Sequence, residues 1–139
     1  MPDRPIRSII EDQRPVTANS DITVLAAAQL MKRHRIGAIL IVDHDRLAGI
    51  FTERDALFRV IAEGRDPKAT RVAEVMTSNP RTIDPERPFG HALHLMYEGG
   101  FRHVPVVKDA RPVGMVSARD ALANPEALDY FENVAELAT

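Results

Sequence analysis

Two four-residue patterns carry the side chains that could do chemistry, Thr52-x-x-Asp55 and Ser117-x-x-Asp120. Each follows an aliphatic stretch, and each has a glycine three positions upstream, Gly49 and Gly114. The plainest reading is a capping box, in which the hydroxyl caps a helix amide and the acid reaches back. Arg54 and Arg119 argue for something more. A cation in a first helical turn faces the positive end of the dipole and costs a few tenths of a kcal/mol. Carrying that cost twice suggests an anionic partner for each arginine. A hydroxyl, helix amides and an arginine form a natural phosphate seat. The glycines permit close backbone approach, and an Asp beside the seat can accept from vicinal hydroxyls, as on a ribose. Phosphate plus diol is the chemistry of a nucleotide.

The elements that hold these patterns are written twice. The segment 15–57 aligns with 80–122 without a gap, and Gly49, Arg54, Asp55, Ala56 and Leu57 recur at Gly114, Arg119, Asp120, Ala121 and Leu122. Self-similarity at a fixed period decides architecture before anything else. In the first copy, Val16–Ala18 reads as a short strand. Asn19-Ser20-Asp21 supplies an N-cap for a helix carrying Ile22, Leu25, Ala26, Gln29, Leu30 and Arg33, which Gly37 ends. Ala38–Val42 reads as a buried strand, Asp43-His44-Asp45 as a hairpin turn, and Leu47–Phe51 as the returning strand. A second helix runs from Glu53 towards Glu63 with Leu57, Val60 and Ile61 on one side. The second copy repeats the plan: strand Arg81–Ile83, a helix opened by Asp84-Pro85 and closed by Gly99-Gly100, then a hairpin of His103–Val107 and Val113–Val116. The order is β-α-β-β-α, twice.

The expected partition is residues 1–63 for the first repeat with its leading segment, 64–71 for a linker, 72–123 for the second repeat, and 124–139 for an acidic, helical tail. A half of about 60 residues is marginal alone, so the copies are expected to fold together. The 139-residue chain has no cysteine, which excludes disulfides and thiolate metal sites. The start, Met1-Pro2-Asp3-Arg4-Pro5, shows no apolar core of signal-peptide length, and the longest apolar run, Ile36 to Val42, is far short of a membrane span. A net charge of −2 and few aromatics argue against a nucleic-acid surface. The expectation is a cytoplasmic protein that contacts neither nucleic acid nor membrane.

The Gly-hydrophobic-hydrophobic-Thr/Ser-x-x-Asp pattern after β-α-β-β resembles the cystathionine β-synthase (CBS) domain family. Val75-Met76-Thr77-Ser78-Asn79-Pro80 is similar to the family's lead-in to a repeat. Ile36–Asp43 and Phe101–Val107 are similar to its central strand. The resemblance covers residues 8 to 123 and implies an α/β (α+β) fold of two repeats packed with pseudo-two-fold symmetry. It implies a regulatory module that binds an adenine nucleotide or another adenosyl ligand and acts in trans through a partner protein. Candidate ligands are AMP, ADP and ATP, then S-adenosylmethionine and NADH, with no cofactor required. Asp55 and Asp120 would contact ribose hydroxyls, and Thr52 and Ser117 phosphate, with Arg54 and Arg119 beside them. Thr17, Ala18, Thr82 and Ile83 would border adenine, and Ala38, Ile39, His103 and Val104 would complete the pockets. Family modules pair into a four-repeat disc, so a homodimer is expected. Leu40 stands where the second repeat has Pro105, a departure from the pattern.

The alternative is a ligand-free dimeric scaffold whose motifs serve only as caps. An enzyme is not expected, because no positioned nucleophile, acid–base pair or metal site can be assembled. His91-x-x-His94 lacks further ligands of suitable type. Lys32-Arg33-His34-Arg35 reads as a solvated helix end, and Met31 and Met96 read as core fillers.

Overall fold

The computed structural model describes residues 4–123, so the expected C-terminal helix of 124–139 lies outside the described residues. In chain order the elements are α1 (Ile6–Ile10), β1 (Thr17–Ala18), α2 (Val24–His34), β2 (Ala38–Asp43), β3 (Arg46–Thr52) and α3 (Glu53–Asp55). A π-helical stretch Ala56–Ile61 continues α3, and a 3-10 turn Val72–Glu74 precedes β4 (Thr77–Ser78). Then come α4 (Phe89–Gly99), β5 (His103–Lys108), β6 (Arg111–Ser117) and α5 (Arg119–Ala123). The β-α-β-β-α order is present in both copies, although Arg81–Ile83 pairs only as a single parallel bridge, Ile83 to Val106.

The chain forms two compact units that do not coincide with the two sequence repeats. Pro15–Pro80 makes one, while the residues up to Arg14 join those from Arg81 onward in the other. In the Pro15–Pro80 unit the sheet order is β1-β2-β3-β4, with β1 parallel to β2 and the other pairs antiparallel. Val24, Ala27, Met31, Ile39, Ile41, Phe51, Val60, Val72 and Val75 fill its core. In the other unit β5 and β6 form a hairpin, and α1 and α4 contribute Ile6, Ile10, Phe89, Ala92, Leu93, Leu95 and Met96. Each repeat thus takes a packing segment from the chain leading into the opposite repeat. Leu40 and Pro105 both lie inside strands and both are buried, so the departure at Leu40 leaves the strand intact.

Glycine is required where these segments dock. A Cβ at Gly49 would lie 2.7 Å from the Thr77 carbonyl oxygen and 2.8 Å from Met76 Sδ. At Gly114 it would lie 2.9 Å from Ile10 Cβ. The close approach read from the sequence is real, and a protein segment makes it. The two dockings differ in chemistry. Thr77 and Ser78 extend the first sheet through backbone pairing with Ile50 and Gly49. On the second, the Gln13 side-chain amide stands in for a strand, donating to the Met115 carbonyl and accepting from its amide, both at 2.9 Å.

Several local expectations shift. Thr23, rather than Asn19-Ser20-Asp21, caps α2, its hydroxyl accepting from the Ala26 amide at 3.1 Å. The buried face of α2 is therefore Val24, Ala27 and Met31. Arg35, not Gly37, closes that helix in the left-handed region (φ 54°), where Gly100 (φ 70°) closes α4. The second helix of the first repeat leaves α-geometry at Ala56, and Ala62 bonds back to Leu57, and Arg65 to Val60, five residues apart. The wider turn breaks the expected apolar face: Val60 is buried, while Leu57 is 50% and Ile61 69% exposed.

Candidate functional site

In the first repeat β3 delivers Thr52 to the start of α3 and sets it opposite Ala38. The Thr52 hydroxyl accepts from the Asp55 amide at 3.1 Å, and the Thr52 amide donates to Asp55 Oδ2 at 3.0 Å. This is the capping box, complete. The other carboxylate oxygen is also engaged, since Thr77 Oγ1 donates to Oδ1 at 3.3 Å and Arg59 Nε lies 3.6 Å away. Arg59 in turn donates to the Met76 carbonyl at 3.0 Å. The Asp55 side chain is only 8% exposed. It ties the helix start to the segment that leads into the second repeat.

The second repeat repeats the backbone frame with different surroundings. The Ala118 amide donates to the Arg102 carbonyl at 3.0 Å, as the Glu53 amide does to Gly37 at 2.9 Å. Ser117 sits opposite His103 in the β5–β6 register, and its amide donates to Asp120 Oδ2 at 2.8 Å. Asp120 is half-buried where Asp55 is buried. Loss of hydration raises its carboxyl above the usual Asp value, outweighing the Ser117 amide and the charges of Arg119 and His103, all of which favour ionisation.

The register gathers the remaining candidates at one end of each sheet. Thr17 pairs with Leu40 and Ala18 with Ile41. That places β1 about 7 Å along β2 from Ala38, which faces Thr52. Ile83 takes the Ala18 position beside Val106, next to exposed Thr82. Ala38, Ile39 and Val104 are fully buried, and Ile39, Ile83 and Val104 belong to the cores. Arg54 and Arg119 are exposed.

Sequence reasoning missed Thr77, Arg59 and Glu53. Arg59 was findable, being four residues from Asp55 on a helix, a spacing that pairs side chains. Thr77 left no local signal, because it lies 22 residues away. Among the described residues no group of three or more metal-ligating side chains forms. His94 Nε2 lies 2.7 Å from Glu98 Oε1, while His91 is exposed.

The CBS domain family model matches residues 6–62 and 72–126. The CBS domain-containing protein CBSX3 of Arabidopsis thaliana, described as mitochondrial, is 40% identical over 108 residues, covering 74% of this chain and 52% of that protein. This chain thus spans about half the length of that plant relative. YhcV of Bacillus subtilis, also a CBS domain-containing protein, is 36% identical over 108 residues, covering 78% of this chain and 76% of its own. Among solved structures, the CBS domain pair of protein MJ0100 in complex with 5′-methylthioadenosine and S-adenosyl-L-methionine superimposes with a TM-score of 0.79 at 31% identity. It covers 88% of this chain and 95% of that one.

Proposed function

This chain belongs to the CBS domain family, and from that premise we propose that it is a regulatory module that binds an adenosyl ligand and acts through a protein partner. The observation that carries the reading is its likeness, over most of both chains, to a CBS pair held in complex with two adenosyl compounds. The second-repeat motif supports it. There Asp120 and Ser117 stand at one sheet end with His103 and Arg119. AMP, ADP and ATP are the leading ligands, with S-adenosylmethionine and NADH behind them. The module performs no reaction of its own. Ligand energy can shift an arrangement only by its differential affinity for two states, so the output is a change in what the module contacts.

A homodimer belongs to the same proposal, and exposed Leu57, Phe58 and Ile61 on one helix favour it. No described helix is long and apolar enough to cross a membrane, and we place the protein in the cytoplasm. The scaffold alternative draws support from Asp55, whose carboxylate is already engaged. Melting the protein with each of the five compounds, beside Asp120→Asn, separates the two readings. A compound at 100 times its dissociation constant adds about 2.7 kcal/mol. A shift that Asp120→Asn abolishes supports the sensor. A well-folded protein that no compound shifts is a scaffold.

A further inference from the structure

The two motifs sit in the same backbone frame with opposite electrostatic settings, and that difference separates their ligands. In the first repeat Glu53 folds over Gly37, its Oε1 only 3.0 Å from where a Cβ there would stand. That places a carboxylate beside Ala38, at the end of the sheet where the site residues gather. Asp55 adds a second, matched by Arg59, and Arg54 matches Glu53, so the first motif carries no net charge. In the second repeat Ala118 replaces Glu53, Arg102 replaces Gly37 and His103 replaces Ala38. The shared bond from residue 53 to 37, and from 118 to 102, shows that these exchanges fall at matching places. Arg102 and Arg119 against Asp120 leave the second motif net positive before His103 is counted.

We propose that the second repeat is the site for a phosphate-bearing adenosyl ligand, one per chain, and that Glu53 denies a phosphate to the first. This rests on the adenosyl-ligand reading and adds its charge selectivity and stoichiometry. Residue 53/118 is the selecting position. Asp55 is a structural strut in the first repeat, its two oxygens holding the Thr52 amide, the Thr77 hydroxyl and the Arg59 guanidinium.

Titration calorimetry on the full chain tests this with AMP as the anionic probe and 5′-methylthioadenosine as its uncharged counterpart. Ala118→Glu places an acid where the first repeat already tolerates one, so folding is expected to survive, and a melting curve checks it. A unit charge placed about 7 Å from a phosphate would change affinity roughly threefold in water-like surroundings and about fiftyfold at an effective dielectric of about 20. The wild type should bind one AMP per chain. Ala118→Glu should weaken AMP by a factor within that range while leaving 5′-methylthioadenosine within about twofold. Arg102→Gln, which leaves the backbone bond in place, should weaken AMP in the same sense. Two AMP per chain, loss of both probes alike, or no change with either variant would overturn the inference and leave the adenosyl reading standing. So would binding of 5′-methylthioadenosine without AMP. A folded wild type that binds neither overturns both.

Discussion

Gly114→Ala inserts one methyl group between β6 and α1, and the structure fixes what that methyl meets. It would stand 2.9 Å from Ile10 Cβ, 2.9 Å from Cδ1 and 3.0 Å from Cγ2. Carbon atoms rest about 3.5–4.0 Å apart, so the overlap is roughly 0.5–1 Å at three atoms. A rotamer change cannot relieve it, because Ile10 Cβ moves only with its backbone. Helix α1 must shift, straining the Gln13–Met115 amide pair and the burial of Ile6. Overpacking of this kind costs about 1–3 kcal/mol. Full detachment of α1 sets a ceiling, since exposing Ile6 and Ile10 would lose about 1.5–3 kcal/mol each. Urea unfolding should therefore show Gly114→Ala destabilised by about 1–3 kcal/mol. Ile10→Ala removes the clashing Cδ1 and Cγ2 atoms and alone costs about 2–5 kcal/mol. The double variant should be more stable than the sum of the two losses implies, by about 1 kcal/mol or more. A Gly114→Ala protein as stable as wild type would refute the docking of α1 on β6. Gly49→Ala offers a contrast, because its nearest neighbour is the Thr77 carbonyl oxygen, a backbone atom that no side-chain truncation removes.

Three further outcomes follow from the geometry. Arg35→Gly should raise stability by up to about 1 kcal/mol, and Gly100→Ala should lower it comparably, because a Cβ is strained at both left-handed caps; thermal melts check both. Asp55→Asn should cost about 1–3 kcal/mol in urea unfolding, since a buried carboxylate loses charge-assisted bonds from Thr52 and Thr77 and its ion pair with Arg59; an unchanged midpoint would remove its role as a strut. Asp43 is held below its ordinary carboxyl value, first by the Ser20 amide and then by the Ser20 hydroxyl. The stability it contributes is therefore present above about pH 4 and lost as pH falls through the lower folded value. Asp43→Asn should flatten that part of the stability–pH curve, and an identical acid limb in wild type and variant would exclude the contribution.

The repeat, its element order and the hairpins were legible because period and turn chemistry are local properties. His44 and Asp45, and likewise Asp109 and Ala110, occupy the left-handed region at the tips of two matching turns, where the sequence placed the hairpins. The Thr52-x-x-Asp55 pattern also announced its capping box, and Ser117-x-x-Asp120 the bond from the Ser117 amide to its acid, because each closes over four residues. The π-helical turn was not legible. Leu57, Val60 and Ile61 lie at ordinary helical spacing, while the wider winding goes with the anchoring of Arg59 on the Met76 carbonyl, a contact 17 residues away.

The sequence by itself determined that one unit is written twice and which residues stand at matching positions in the two copies. Tertiary structure decided what those matched residues do. Asp55 and Asp120 share a motif, yet one is buried under Thr77 and Arg59 and the other is half-buried beside His103 and Arg119. Gly49 and Gly114 share a position, yet one admits a strand and the other an isoleucine on a helix. The physical reason is separation along the chain. Caps and turns close within a few residues, whereas Thr77 reaches back 22 residues to Asp55 and Gln13 reaches forward 102 to Met115. Contacts of that range are chosen by the packing of whole segments, and no local pattern encodes them.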